Sequence, residues 1–536
     1  MSMAIPRPLK LAITTLSPVH IGCDEVFEPT NFVIENGLLH RLDPADIAAT
    51  LDSKEKSQLM RLAGEKDPIG PIQQFFKARR TRLAAVASGY TDIAAGIARE
   101  YEEKAGQPQQ RGGGGNPVYN LFPMARTAYN PLDGKPYLPG SSLKGSMRTA
   151  WLSHLNKGQP PQEQGKRASA MLQERLLGYQ AGQFNNDPFR NVAVVDAHPQ
   201  EDRPAPPTRI VYAVSKKKRP SERGSPELKV FLETVREAMP EAFAGELRLT
   251  GKIAWSSLCD ACNAFYRPQL EAELDHPQFQ PLLDPAWRTL ISTLLTDELS
   301  ELMAARQGFL LRVGRHSGAE SVTLDGVRSI KILGAKGEPP SYRPATTEKR
   351  FVSATRGASA GLLPFGWVWI GSCDDAHQHL AIALHDKIAR YSLPIREAQA
   401  DQLAAFETRM EKRGEMQREA LARQAEAIAA EQAAAAAQAK RETERASMSA
   451  NRLQIENLKE FFTERADQLG KNQEALNGNI HSRARLLASA ALEGADWTAE
   501  EKAVLAALIG DWLPRLVARM DKDQLKKLKL ATLRGS

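Results

Sequence analysis

Three serines, a lysine and an arginine fall within a short span of Pro139-Gly140-Ser141-Ser142-Leu143-Lys144-Gly145-Ser146-Met147-Arg148. Leu143, Met147, Trp151 and Leu155 recur every four residues, the spacing of one helix face. Ser141 or Ser142 is the natural N-cap, and Gly140 permits a tight turn into the helix. Free N–H groups, serine hydroxyls and the positive end of the helix dipole then converge where Lys144 and Arg148 project. That is an anion site suited to phosphate. An ordinary capped helix with a solvated basic face fits the same residues.

His20, set between Pro18 and Gly22, has the side chain for general acid/base work, with Lys144 or Arg148 to stabilise a phosphorane. A lone histidine in a turn also serves as a structural group or a phosphate donor. Asp24 follows the same strand, where acidic turn residues are commonplace. Arg312, Arg315, His316 and Ser317 sit where a strand opens into a glycine-bracketed basic loop, and Arg328 and Lys331 lie on a later strand, 326–332. The run Lys216-Lys217-Lys218-Arg219 reads as a solvated loop or a backbone clamp. Cys259 and Cys262 form a single CxxC with no second pair at zinc spacing, so they read as small buried side chains. No metal and no cofactor are expected.

These residues need a large frame. The chain has 536 residues, enough for about two to four domains. A hydrophobic fraction of 42% supports real cores, and 71 Lys+Arg against 64 Asp+Glu give +7, which favours local basic surfaces over a polycation. Four cysteines argue against a disulfide scaffold and for a reducing compartment. No signal peptide and no apolar run of about 18 residues is visible, so a cytoplasmic protein without a membrane association is expected.

Leu9, Leu11 and Ile13 alternate as a strand, and Phe32-Val33-Ile34, Asn36-Gly37, Leu38-Leu39-His40 read as a hairpin. Asp43-Pro44 starts a short helix. Residues 54–111 look helical and polar, an insertion ending in the glycine run 112–115. Asp187-Pro188-Phe189-Arg190 is a turn into the strand 192–196, followed by strands at 210–214 and 246–253 and helices over 256–305. An aromatic strand, 364–370, closes the core. From about 395 to 465 the chain is Ala-, Glu-, Lys-, Arg- and Gln-rich, a long helix or helix pair without sustained heptads. Trp497-Thr498-Ala499-Glu500 supplies a capping box for a later helix. The end is basic: Arg515, Arg519, Lys526, Lys527, Lys529 and Arg534.

Strands, helices and glycine-bracketed basic loops together predict an α+β fold of tandem ferredoxin-like (RRM-like) modules with helical insertions, then a long helix and a C-terminal helical segment. The expected domains are 1–186 with the insertion 54–111, 187–395, the helical region 396–465, and a bundle with a basic tail, 466–536. An aromatic RNP stripe is missing, so contacts to phosphate and sugar are expected in place of bases stacked on a sheet.

The motifs resemble the RAMP superfamily of CRISPR RNA-binding proteins. Leu16-Ser17-Pro18-Val19-His20-Ile21-Gly22 resembles its opening element, and the stretch from Pro139 to Ala150 its PGSSLKG element. Asp187-Pro188-Phe189-Arg190 with Val195-Asp196, and Pro364-Phe365-Gly366-Trp367, resemble two later ones. Order and spacing are similar to the family of fifth subunits of type III-A Csm effector complexes, which cap the crRNA 3′ end. The resemblance covers about residues 8–372 and leaves the helical region after 395 without a family role.

It implies a non-catalytic RNA-binding and assembly subunit. Its partners would be crRNA, the neighbouring RAMP backbone subunit and the small helical subunit, with a 3′-maturation nuclease as a further partner. Gly140, Ser141, Ser142, Lys144 and Arg148 would line the RNA path, flanked by His20, Gly22, Arg315, His316 and Ser317. Arg190, Arg312, Arg328 and Lys331 complete the candidates. Two other readings stand beside it: a metal-independent CRISPR repeat endoribonuclease using His20, and a protein-only scaffold.

Overall fold

The computed structural model describes all residues except 1–6, 112–116, 181, 201–204, 221–229, 334–336, 338, 374–376 and 536. The glycine run 112–115 and the first residues of the chain therefore lie outside the described residues. Two compact units divide the chain, residues 1–413 and 414–536.

The first unit is α+β, as the sequence predicts, and is built on two sheets among the described residues. One has five strands in the order Gly308–Arg312, Trp367–Ser372, Leu9–Thr15, Met239–Leu249, Val192–Val194, with antiparallel neighbours throughout. Its register sets Ile13 opposite Phe243 on one side and Ile370 on the other, and all three are buried. The helices Gly140–Asn156 and Trp255–Leu274 pack on each other and against this sheet.

The second sheet has nine strands and runs from Gly22–Phe27 through Met124–Thr127, Phe231–Val235, Thr208–Lys217, Gly89–Ile93 and Leu38–Arg41 to Phe32–Glu35. Glu348–Ser353 pairs with Thr208–Lys217 and carries Leu363–Pro364. One continuous core, with Leu16, Phe122, Tyr266, Trp287 and Trp367 among its members, runs through both sheets. Strands from before and after residue 187 enter each sheet, so a boundary at 186 does not separate them.

Local chemistry explains the elements that were legible. Asn36 and Gly37 turn the Phe32–Arg41 hairpin with φ of 51° and 76°, and the Asp43 carboxylate accepts from the Ala45 N–H ahead of Pro44. Other elements differ from expectation. The polar insertion contains a strand, Gly89–Ile93, paired with Leu38–Arg41 and Thr208–Lys217. Lys216 and Lys217 belong to a strand that pairs with Glu348–Ser353, and Lys218 is ion-paired with Glu320 at 2.5 Å, so the basic run is no open loop up to Lys218. The strand expected over 326–332 is confined to Ile330–Ile332.

Cys259 and Cys262 are buried in the helix Trp255–Leu274, and burial pushes both thiols up, Cys259 to about 12. The helix Gln378–Ala446 begins before the compositional change, and its first part packs on the hairpin module. Tyr90 meets Phe406 edge-on at 5.0 Å, Arg409 donates to the Ala84 carbonyl, and Arg413 pairs with Asp46. Among the described residues no helix is long and apolar enough to cross a membrane.

The second unit has its own core of Ile455, Phe462, Ile480, Ile509 and Leu513. That core starts in the helix Ala450–Leu469, before residue 466. The capping box of the helix Ala499–Leu516 pairs Thr498 with Glu501. Glu501, three residues after the cap, has the reach that Glu500 lacks.

Candidate RNA-binding cleft

The helix Gly140–Asn156 is positioned by its first residue. A Cβ on Gly140 would lie 2.3 Å from the Val194 carbonyl oxygen, so only glycine lets the helix end approach the Val192–Val194 strand. The Gly140 N–H donates to Asp196 Oδ1 at 2.7 Å. A carboxylate of the chain itself therefore sits at the positive helix end, where the sequence predicts a free anion site. Pro139 takes the N-cap position without a side-chain bond, and Ser141 and Ser142 lie inside the first turn, so neither caps the helix. Ser141 is exposed and Ser142 half-buried. Leu143, Met147 and Ala150 are the buried stripe, with Trp151 and Leu155 only partly covered.

One turn further along, the basic side chains do open to solvent. Lys144, Arg148 and Arg190 line a cleft of about 380 Å³ together with Phe184, Asn185, Asp187 and Phe189. Asp187 holds the wall in place. One carboxylate oxygen accepts the Phe189 N–H at 2.8 Å, and the other takes Arg148 Nη1 at 2.8 Å. Arg148 also donates to Gln173 at 3.3 Å and lies 5.3 Å over the Phe189 ring.

Arg148 is thus a neutralised strut, while Lys144 and the exposed Arg190 have no ion-pair partner among the described residues. Partial burial, and behind it the Arg148 charge, lower the Lys144 pKa against the pull of Asp187. An incoming anion favours the charged form of this ammonium. Phe184 carried no signal in the sequence. It is 63% exposed at the rim, with the Tyr179 ring 6.3 Å away.

A second group of candidates meets elsewhere, at a junction of three chain segments. Arg315 N–H donates to the His20 carbonyl, Gly366 N–H to the Pro18 carbonyl and Val313 N–H to the Gly366 carbonyl, each at 2.8 Å. Gly314 (φ 80°) and Gly366 (φ 88°) are required, because a Cβ would stand 2.2 Å from the His20 oxygen and 2.3 Å from the Val313 oxygen. His20 is fully buried, its Nδ1–H donating to the Glu233 carbonyl at 2.6 Å, and burial lowers its pKa. A Cβ on Gly22 would touch His20 Nε2 at 3.6 Å.

The other junction candidates divide in the same way. His316 meets the Phe365 ring at a tilt, with centroids 5.1 Å apart, and burial together with Arg350 and Arg315 pushes its pKa down to about 3. Ser317 is buried and its hydroxyl donates to the Gly314 carbonyl. The Arg315 side chain alone faces out.

The remaining basic candidates do not join either group. Arg312 is 1% exposed and belongs to the core. It pairs with Glu273 at 3.1 Å, donates to the Phe365 carbonyl and stacks 4.8 Å from Trp367. Glu273, equally buried, also takes Lys349 at 2.8 Å and Trp367 Nε1 at 2.9 Å, and those cations hold its carboxyl below the usual range. Arg328 is spent on Asp325, Thr323 and the Glu320 carbonyl. Lys331 is exposed on the two-stranded ribbon Ile330–Ile332 and Ser341–Arg343.

Residues 12–252 match the RAMP superfamily. The chain is 29% identical over 161 residues to the CRISPR-system protein Csm5 of Streptococcus thermophilus, a match that covers 28% of this chain and 40% of the relative. Among solved structures, it is similar to a chain of a Csm–crRNA–target RNA ternary complex of a type III-A CRISPR-Cas system. That match has 16% identity and a TM-score of 0.43, and covers 68% of this chain and all of the other. The crystal structure of T. onnurineus Csm5 matches at 16% identity and a TM-score of 0.36, with 67% and 99% covered. Residues 12–252 are thus similar to the RAMP superfamily, and part of the chain is similar to Csm5, of whose length the match spans less than half.

Proposed function

We propose that this chain is a non-catalytic RNA-binding subunit of a type III-A CRISPR ribonucleoprotein, holding the 3′ region of crRNA by its phosphates and capping the backbone filament. The carrying observation is the cleft in which Lys144 and Arg190 project from a frame fixed by Asp187, Arg148 and the Gly140–Asp196 contact. Two cations that have no ion-pair partner among the described residues suit a phosphodiester backbone, which is bound through charge and not through base sequence. The likeness to a relative whose name places it in a CRISPR system supports this reading.

The endoribonuclease reading is disfavoured by His20, whose ring is fully buried and therefore out of reach of a scissile phosphate. The test is to express the chain with its genomic neighbours and sequence the co-purifying RNA ends. Short RNAs with a shared repeat-derived 5′ tag, and 3′ ends that change when this subunit is removed, are expected. RNA without such a 3′ effect would defeat the capping role.

A further inference from the structure

The cleft holds one group that phosphate binding does not use. Phe184 is a large apolar side chain, 63% exposed, on a loop whose neighbours Gln183, Asn185 and Asn186 are all exposed and polar. Among the described residues Phe184 and Tyr342 are the aromatics that stand exposed, and Phe184 lines a basic cleft. Its loop is fastened from below: Asp187 ties the following turn to Arg148, and Phe189 is buried beneath the guanidinium. The Phe184 ring is therefore presented on an anchored segment, with Tyr179 beside it, and Lys144 and Arg190 line the same cleft. The cleft volume of about 380 Å³ is at the small end of ligand sites and suits one nucleotide, not a duplex.

We propose that Phe184 is a stacking platform for one unpaired nucleobase, whose flanking phosphates are held by Lys144 and Arg190. This deepens the RNA reading and rests on it. Every base has a π-face, so the contact selects for single-stranded RNA over duplex without selecting a sequence. Asn185 lines the same cleft and supplies an amide that can meet a base edge.

The test measures binding of the full-length chain to fluorescently labelled oligouridylate, and to an abasic ribose-phosphate oligomer of equal length, by anisotropy at several salt concentrations. Phe184→Ala is expected to weaken oligouridylate binding about 10-fold with an unchanged salt slope and to leave abasic binding untouched. Phe184→Trp is expected to restore affinity and to gain fluorescence quenching on binding. If the wild type binds oligouridylate and Phe184→Ala binds it equally well, or loses both oligomers in parallel, the stacking platform is overturned while the RNA reading stands. If the wild type binds neither oligomer, both fall together.

Discussion

In the cleft, charged groups stand outward from a frame that other residues hold. Asp187 pairs with Arg148 and Gly140 with Asp196, while Lys144 and Arg190 have no ion-pair partner among the described residues. At the junction of residues 17–22, 313–318 and 364–367 the same residue types are consumed inward. Glycine φ angles admit close carbonyls, His20 and Ser317 bond to backbone, and the adjoining Arg312 is locked to Glu273. Residue type alone does not separate a binding group from a structural one. A cation is available only when no carboxylate of the chain has already claimed it.

The contrast predicts effects of unequal size. The largest is Glu273→Gln, which leaves Arg312 and Lys349 buried without their counter-charge and is expected to cost on the order of 3–5 kcal/mol of stability by urea denaturation. A loss below about 1 kcal/mol would mean that Arg312 is not the core group described. Next is the charge reversal Lys144→Glu with Arg190→Glu, expected to lower RNA affinity about 10-fold or more and to flatten its salt dependence, with stability changed by less than about 0.5 kcal/mol. Arg190 replaces the Arg148 that the sequence alone would have chosen for this test, because reversing Arg148 breaks the Asp187 strut.

A smaller effect separates the junction from the cleft by pH. The folded-state pKa of His316 lies at about 3, below the unfolded value of 6.5, with His20, Arg315 and Arg350 facing it. The unfolded chain therefore binds a proton that the folded chain refuses. Stability from this group is complete above the unfolded value and is lost as pH falls from 6.5 toward 3. His316→Asn, which tolerates the φ of 66°, is expected to reduce the slope of stability against pH between about 6.5 and about 5. An unchanged slope would mean that the His316 imidazole is not shielded by its neighbours. The smallest effect is Ser141→Ala, expected within about 0.5 kcal/mol, against about 1 kcal/mol for Thr498→Ala, which removes a true cap.

Where the physics is local, the sequence was readable. Asn36-Gly37, Asp43-Pro44, the alternation of Leu9–Ile13 and the apolar stripe beginning at Leu143 act within a few residues of themselves. What escaped depends on distant partners. Arg312 read as the base of a basic loop because Glu273, which neutralises it, is 39 residues away. Asp196 reaches the helix end across 56 residues. The strand Gly89–Ile93 is five residues long and borrows its pairing from segments far along the chain, so the surrounding helix pattern masked it. Phe184 sits alone among polar neighbours and follows no period, and only its exposure beside Lys144 marks it.

The most direct test of the comparison is photocrosslinking of a 4-thiouridine-substituted RNA to the full-length chain, followed by mapping of the modified peptides. Crosslinks within residues 140–148 and 184–190, and none within 313–318, are the expected result. Crosslinks confined to 313–318 would make the junction the RNA path and the cleft an ordinary surface recess.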